Sequence, residues 1–457
     1  MRPLSHRAGL ALALTAFASR LWFFLGTNEP LGWDGFAYVV QLERLVKEGH
    51  LHWPDSSWVV WALAALHVVI PSAVLAVKVG ASALVAAVVL VAARRPPLGA
   101  LAVWAAMSPV LTHLGADFPK NLGAVAPLLF VLGWRRGDSK VALLVAVLLA
   151  AFAHRTGAAL AGLIALGALL GAGASRVPVR ALLFVGAGAL GVFALATSAL
   201  PGLLHPDDLA RVGGQLDLGW HAPPPFFSPR PGSALEVLEL ALAWPALLLG
   251  AWRFVRRPAD RARLGAALLP LLVCVFPLWR TDTLDLGYRL ALLSPVFTFT
   301  LLLDEVRVGR EAFIVALGLT LFVPRAGFSL DEGPPLAQWR AIIARIPRPL
   351  PTLLIAPQGL NFLYDHETGH EAMAWAPGPE IDHAQVWRLA FDVRDGEWLD
   401  VAGGLEPAPM RLGANVLYVR EDVWEQFLQR ADPELRERLE HSKNPLQVRP
   451  PSLLRNR

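Results

Sequence analysis

The sequence predicts an α-helical polytopic membrane protein with about eleven transmembrane helices and a small extracytoplasmic α/β domain at its C-terminal end. Three observations predict this fold class. The 457-residue chain is 55% apolar and only 17% charged, whereas soluble domains carry about 25% charged residues. Its apolar residues form blocks close to the length of a bilayer crossing, and basic residues are concentrated in alternate connections between the blocks. A soluble enzyme, a disordered chain and a collagenous chain are therefore excluded, and a single cysteine excludes a disulfide framework.

Eleven apolar blocks are the candidate spans. The first, residues 8–26, follows Arg2 and Arg7 and has a small-x-small pattern at residues 16–18 that is also typical of a signal peptide. We predict an uncleaved span instead, because the apolar run continues through residues 21–25. The other ten blocks cover residues 72–93, 98–114, 121–134, 141–153, 157–174, 181–200, 234–252, 264–279, 290–303 and 312–323.

The distribution of Lys and Arg predicts the orientation. With the N-terminus in the cytoplasm, 16 of these residues fall in short inside connections and 8 in longer outside stretches. This bias has the sign of the positive-inside rule, and an odd number of spans then places the C-terminal region outside. The net charge of +4 therefore reflects topology rather than binding of nucleic acid.

The chain divides into two predicted domains. Residues 1–325 form the transmembrane domain, with a long first outside loop at 27–71 and a second outside loop at 201–233, which is rich in Pro and Gly. Residues 326–457 form the extracytoplasmic α/β domain, which has an unstructured end. This second assignment depends on two short β-like runs and a charged helical stretch between residues 352 and 440.

The first outside loop contains two predicted helical segments. Apolar residues at helical spacing over residues 36–46 predict an amphipathic helix that lies on the membrane. Residues 58–70 form an apolar piece closed by Pro71, which is too short to cross and is predicted to lie at the interface. The tryptophans of the loop suit an interfacial position.

Ionisable residues at the outside ends of the spans form the candidate site, because burying charge in a membrane protein usually needs a functional reason. Acids there can act as a general base or hold a divalent cation, and guanidinium groups match phosphate oxygens. The candidate catalytic residue is Asp34, and the candidate substrate-binding residues are Asp117, Lys120, His154, Arg155, Arg280, Tyr288 and Arg289.

Each candidate also has a plain structural interpretation. Asp34 directly precedes the amphipathic segment, where an Asp is a routine helix cap. Asp117 and Lys120 suit a tight outside turn, with Lys120 reaching toward the interface. His154 and Arg155 suit an interface anchor. The candidates in residues 280–289 suit a solvated loop. The functional interpretation is favoured because all of them fall on the same predicted side of the membrane.

A separate motif, His366-Glu367-Thr368-Gly369-His370, matches the HExxH pattern of zinc proteases. That pattern needs a helix, so that both His side chains lie on one face. Gly369 inside the motif and the Pro and Gly residues around it oppose a helix, and residues 360–364 look like a strand. We therefore predict a strand–turn–strand surface here rather than a zinc site.

The layout resembles the GT-C fold of polytopic glycosyltransferases, a family that includes the protein O-mannosyltransferases and the lipid A aminoarabinose transferases. Residues 52–58, followed by an apolar stretch and a span that ends in Arg94-Arg95, are similar to the juxtamembrane helix and second span of that family. Asp34 matches the acid of the family's first loop, and Asp117 matches a second acid after the third span. Gly287-Tyr288-Arg289 resembles the loop with which the family contacts lipid phosphate.

The resemblance covers residues 1–325 and implies an extracytoplasmic glycosyltransferase of the hexosyltransferase type in the cell (inner) membrane. It implies a polyprenyl-phosphate sugar as donor, a lipid, glycan or protein as acceptor, membrane lipids as partners, and Asp34 as the base. Gly35 stands where the family commonly has a second acid, so a divalent cation is left open as a cofactor. Two alternatives also stay open: a transporter or lipid-glycan flippase, and a membrane zinc metalloprotease built on His366 and His370.

Overall fold

The computed structural model describes most of the helical part of the chain and parts of its C-terminal third. Contacts divide the chain into a first unit, Met1–Leu31 with Pro54–Glu332, and a second unit, Gly32–Trp53 with Gly333–Arg457. The described residues are 6–32, 34–51, 55, 57–94, 99–134, 139–172, 233–279, 286–303, 305–327, 336–337, 340, 344, 352–357, 360–369, 372–375, 399–400 and 417–420.

The described residues are mostly helical. Four helices begin at a serine, Ser72, Ser108, Ser139 or Ser233, whose side chain accepts a hydrogen bond from a backbone N–H of the first turn. In chain order the helices are α1 (His6–Phe24), α2 (Gly35–Glu48), α3 (Trp58–Val69), α4 (Ala73–Ala92), α5 (Ala100–Met107), α6 (Pro109–Asp117), α7 (Pro119–Leu132), α8 (Lys140–Ala153), α9 (Arg155–Gly171), α10 (Ala234–Ala241), α11 (Ala243–Arg256), α12 (Arg261–Cys274), α13 (Leu286–Leu303), α14 (Arg310–Gly327) and α15 (Leu360–Thr368).

The first unit is a layered array of helices. α1 packs against α4 and α14, α4 packs against α7, and α7 packs against α8. α8 then packs against α9, α9 against α12, and α12 against α11 and α13. Large apolar side chains such as Leu144, Leu248 and Phe322 are exposed on the outer faces of this array. An apolar outer surface of this kind suits contact with lipid rather than water.

Among the described residues, three helical stretches are long and apolar enough to cross a membrane: Ala73–Ala92, Ala234–Arg256 and Leu286–Leu303. Their length and composition agree with the membrane character predicted from the whole sequence. The predicted span at 181–200 and the predicted loop at 201–233, apart from Ser233, lie outside the described residues. Shorter apolar helices are Trp58–Val69, Pro119–Leu132, Lys140–Ala153 and Arg155–Gly171.

The apolar block predicted at residues 98–114 as one span is two helices. α5 ends at Met107 and α6 begins at Pro109, because Ser108 caps α6 and Pro109 has no N–H with which to continue the hydrogen bonds of α5. The block at 234–252 lies in a helical stretch that is interrupted only at Leu242, between α10 and α11, where the backbone stays in the helical region. Apolar composition alone does not reveal such breaks.

Two buried ionisable side chains, Arg20 and Glu239, bond to the break between α5 and α6. Arg20 of α1 donates to the backbone oxygens of Ala106 and Ser108, the latter at 3.2 Å. Glu239 of α10 accepts from Trp104 Nε1 at 2.7 Å, from Ser108 Oγ at 2.6 Å and from a backbone N–H of α6 at 3.0 Å. The backbone groups that the break would leave without helical partners are therefore bonded to two ionisable side chains.

α9 and α12 come into backbone contact at glycines. Gly167 and Gly265 face each other, and a methyl group added to either would overlap the carbonyl oxygen of the other. Gly171, one turn further along α9, meets the backbone of Arg261 in the same way. Small residues at this spacing allow two membrane helices to pack closely.

The second unit contains α2, α15 and a sheet. α15 connects β1 to β2 and packs against both strands, as a parallel pair requires a crossover connection. α2 packs against α15, so the amphipathic segment of the predicted first loop belongs to this unit. β1 pairs in parallel with β2 and antiparallel with β4, which pairs antiparallel with β3. The strands are β1 (Thr352–Pro357), β2 (Ala372–Trp375), β3 (Leu399–Asp400) and β4 (Leu417–Arg420), in the order β2-β1-β4-β3.

The prediction of a strand at residues 360–364 is wrong. These residues begin α15, and Phe362, Leu363 and Tyr364 are buried. Packing of one helical face against α2 and the strands outweighs the weak local preference for strand. The helix ends at Thr368, and Gly369 follows with a φ of +69°.

Charged side chains join α2 to α15. Arg44 Nη2 donates to Asp365 Oδ1 at 2.7 Å and to the Gly369 carbonyl oxygen at 3.0 Å. Burial raises the pKa of Asp365 to about 6, Arg44 opposes this rise, and Glu43 and Glu48 add to it. Asp365 therefore takes up a proton in the folded protein at a pH at which an unfolded Asp is ionised.

This raised pKa predicts how stability depends on pH. Because the folded state binds the Asp365 proton more tightly than the unfolded chain, its stabilising contribution is complete below about pH 4. The contribution, of about 3 kcal/mol, is lost as pH rises through 6. We expect the thermal midpoint of the wild type to fall relative to that of Asp365→Asn between pH 4 and 7.

Thermal unfolding of the purified full chain across this pH range measures the difference. Glu367→Gln on the same helix is the matched control and should parallel the wild type. A wild type that gains stability over Asp365→Asn as pH rises would contradict the prediction.

Candidate functional site

Three cationic side chains gather around His154 in the first unit. Burial lowers the pKa of His154 well below its ordinary value, and the nearby charges of Arg289, Arg155 and Lys120 lower it further. Arg289 Nη1 lies 3.5 Å from His154 Nε2. Lys120 and Arg155 lie in the first turns of α7 and α9, whose N-terminal ends add positive partial charge. The site is therefore strongly electropositive.

The hydrogen bonds of His154 determine which of its two ring nitrogens carries the hydrogen and can donate to a ligand. Its Nδ1 accepts from the backbone N–H of Thr156 at 3.2 Å and lies 2.7 Å from the Thr156 hydroxyl oxygen. A neutral ring that accepts at Nδ1 carries its hydrogen on Nε2. His154 Nε2 and the Arg289 guanidinium are then two donors side by side, an arrangement that suits the oxygen of an anion.

An acid borders the same cations. Lys120 Nζ contacts Asp55 Oδ2, and Asp55 Oδ1 accepts from the backbone N–H of Ser57 at 2.8 Å. Ser57 in turn donates from its hydroxyl to the Ala153 carbonyl oxygen at 2.7 Å. These bonds attach the start of α3 to the end of α8 and hold a carboxylate at Lys120.

A buried polar network lies on the other side of Arg289. His113 Nε2 lies 3.1 Å from Asp117 Oδ2 and 3.2 Å from the Tyr288 hydroxyl, and His113 Nδ1 lies 2.8 Å from Glu236 Oε1. All four side chains are buried. Three helices, α6, α10 and α13, supply them, and each ring nitrogen of His113 faces a carboxylate.

Phe118 joins the network to the cations. The Arg289 guanidinium lies 4.7 Å over the Phe118 ring, a cation–π contact. The Tyr288 and Phe118 rings meet edge to face with centroids 6.1 Å apart. Phe118 stands between α6 and α7 because it ends one helix and precedes Pro119, the first residue of the next.

The structure therefore brings six of the eight predicted site residues into one connected region of the first unit: Asp117, Lys120, His154, Arg155, Tyr288 and Arg289. Arg280 lies outside the described residues. Asp34 begins α2 in the second unit, where it occupies the N-cap position without a capping side-chain hydrogen bond. The helix-cap interpretation of Asp34 thus lacks the hydrogen bond by which Asp stabilises a helix start.

Sequence reasoning missed His113, Glu236, Glu239, Arg20 and Lys78, all of which are buried. The predicted site uses ionisable residues at span ends, whereas these five residues lie within the predicted apolar blocks. An ionisable residue inside an apolar block is itself a signal, and it was present at all five positions. Asp55 had a weaker signal, since one acid in a polar loop is unremarkable.

Metal binding receives no support from the described acids. That part of the chain has no group of three or more His, Cys, Asp and Glu side chains that could hold an ion. Asp117 and Asp55 are bonded to His113 and Lys120 instead. In the HExxH motif, His366 lies in the last turns of α15, which ends at Thr368, and His370 lies outside the described residues.

Comparison with known proteins gave no relative: no protein family, curated protein or solved structure matches this chain. Assignment of function therefore depends on the chemistry of the site.

Proposed function

We propose that this protein is a membrane glycosyltransferase that moves a sugar from a polyprenyl-phosphate donor to a lipid, glycan or protein acceptor on the extracytoplasmic face. The observation that carries the proposal is the grouping of Lys120, Arg155 and Arg289 around His154 at the ends of apolar helices. Guanidinium and ammonium groups bind phosphate oxygens, and the apolar outer surface of the helices suits a polyprenyl chain.

In this proposal the donor phosphate lies among the cations. The acceptor hydroxyl attacks the anomeric carbon, the bond from that carbon to the phosphate oxygen breaks, and polyprenyl phosphate leaves. Lys120, Arg155 and Arg289 stabilise the negative charge that develops on the phosphate, and Arg280 is predicted to join them. Inversion at the anomeric carbon is what the resemblance to GT-C enzymes implies.

Asp34 is the proposed general base, which takes the proton of the acceptor hydroxyl. Asp55 is a poorer candidate, because Lys120 already contacts its carboxylate. Asp117 is hydrogen-bonded within the buried network. No step is assigned to a metal ion, because the described acids do not form a metal site.

The proposed topology has about eleven spans, a cytoplasmic N-terminus and an extracytoplasmic second unit in the cell (inner) membrane. The distribution of Lys and Arg supports this orientation. It also puts the cationic site on the side where a polyprenyl-phosphate sugar, rather than a cytoplasmic nucleotide sugar, is the available donor.

Consumption of the donor tests the function directly. The purified chain, reconstituted in lipid vesicles, is supplied with polyprenyl-phosphate donors that carry radiolabelled hexoses or pentoses, together with a membrane extract as acceptor source. We expect one donor to release polyprenyl phosphate while its label enters the lipid, glycan or protein fraction. Heat-inactivated protein is the control.

A flippase gives a different result in the same vesicles. It would move the intact labelled donor between leaflets without breaking the sugar–phosphate bond. Movement without bond cleavage, or no consumption of any donor, would overturn the proposal.

A further inference from the structure

Glu236 is a buried carboxylate with one hydrogen-bonded oxygen. Its side chain is 3% exposed, its Oε1 lies 2.8 Å from His113 Nδ1, and its Oε2 has no partner among the residues that the structure describes. An ionisable group in such surroundings is costly. The contact with His113 is therefore the feature that can account for a carboxylate at this position.

The bond from Glu236 holds the His113 ring by one edge. The opposite nitrogen, Nε2, meets the Tyr288 hydroxyl at 3.2 Å and Asp117 Oδ2 at 3.1 Å. A ring held at both nitrogens cannot rotate about χ2 without losing these bonds. Glu236 thereby determines the direction in which His113 meets Tyr288.

Tyr288 is the residue before Arg289 on α13, and both contact Phe118. The His113 ring also stacks on Phe118, with centroids 6.4 Å apart. Displacement of His113 would therefore disturb the Phe118 ring and the Tyr288 side chain. These two groups help to hold the Arg289 guanidinium beside His154.

We propose that Glu236 and His113 are positioning residues for the cationic site: Glu236 orients His113, and His113 holds Tyr288 and Phe118 so that Arg289 reaches the donor phosphate. The inference rests on the proposed function. Neither residue touches the donor, and their effect is on donor affinity through Arg289.

A matched control separates positioning from stability. Glu239 lies on the same helix, one turn from Glu236, and is also buried, yet its hydrogen bonds go to Trp104, Ser108 and the N–H of Val110. Replacement of either glutamate removes a buried carboxylate from α10. Of the two glutamates, only Glu236 is bonded to His113.

The first measurement is the KM for donor in the transfer assay. We expect Glu236→Ala to raise KM by about 10-fold with a smaller change in kcat, because a displaced phosphate-binding group weakens donor binding. Glu236→Gln should recover most of the affinity, since its amide oxygen can still accept from Nδ1. Glu239→Ala should lower the thermal midpoint and leave KM unchanged.

The second measurement does not need activity. The chain has four tyrosines, so 3-fluorotyrosine labelling gives a simple ¹⁹F spectrum in which Tyr288→Phe identifies the Tyr288 signal. We expect Glu236→Ala, or Glu236→Asp if the alanine variant does not fold, to shift that signal, and Glu239→Ala to leave it in place.

The two measurements separate two kinds of failure. An unmoved Tyr288 signal and an unchanged KM in Glu236→Ala and Glu236→Asp would overturn the positioning role and leave transfer intact. A wild type that consumes no donor would overturn the proposed function, and the ¹⁹F spectrum would still decide whether Glu236 orients Tyr288.

Discussion

Replacement of Asp34 by Asn is expected to leave the protein folded and able to bind donor, while sugar transfer falls by about 100-fold or more, the usual contribution of a general base. Asn has nearly the size and shape of Asp but cannot take a proton from the acceptor hydroxyl. If Asp34 were only a helix cap, the change would be nearly silent, because Asn caps about as well as Asp. Initial rates at saturating donor measure the loss.

Asp260 supplies a matched control for this experiment. It also occupies an N-cap position without a capping side-chain hydrogen bond, at the start of α12. The proposed topology puts it on the cytoplasmic side, away from the donor. Asp260→Asn should therefore retain wild-type transfer. Equal rates for Asp34→Asn and Asp260→Asn would remove Asp34 from the catalytic assignment.

Replacement of Gly167 by Ala is expected to destabilise the first unit strongly. The added methyl group would overlap the carbonyl oxygen of Gly265, and backbone atoms cannot move aside as a flexible side chain can. Overpacking commonly costs about 1–3 kcal/mol, and we expect a backbone overlap to reach the upper part of that range. The thermal midpoint in detergent should fall by several degrees.

Gly162 is the control on the same helix, because a methyl group there meets nothing within 4 Å. Gly162→Ala should leave the midpoint unchanged or raise it slightly, since Ala favours helix by up to about 1 kcal/mol over Gly. Similar midpoints for the two variants would show that α9 and α12 do not pack through Gly167.

The sequence predicts the helical segments well where apolar residues are dense. The amphipathic stretch at 36–46 lies within α2, and residues 58–70 correspond closely to α3. Composition could not predict the break at Ser108, because α5 and α6 are both apolar and only Pro109 marks their boundary. The strand predicted at 360–364 failed because burial of Phe362 and Leu363 comes from packing between distant segments.

The candidate site likewise has residues that the sequence identifies and contacts that only the fold reveals. Residues beside the span ends, such as Lys120 and Arg289, can be found because charge next to an apolar block stands out. His113 contacts Glu236, which lies 123 positions away in the chain. No local sequence pattern predicts a contact between residues so far apart. The sequence shows which charges are unusual, and only the fold shows which of them meet.

The bonds around the break between α5 and α6 also constrain the order in which the chain is assembled. Arg20 is synthesised with the first helix, but its acceptor on Ala106 follows 86 residues later and Glu239 comes from the second half of the chain. Until α5 and α6 are made, the guanidinium has neither of its two backbone acceptors, and an unpaired Arg within a bilayer costs up to about 2.5–3.5 kcal/mol. We therefore expect a chain truncated before Ala106 to leave Arg20 without either acceptor, and a chain truncated before Glu239 to leave the break between α5 and α6 half bonded, so both should be removed by membrane quality control faster than the full chain.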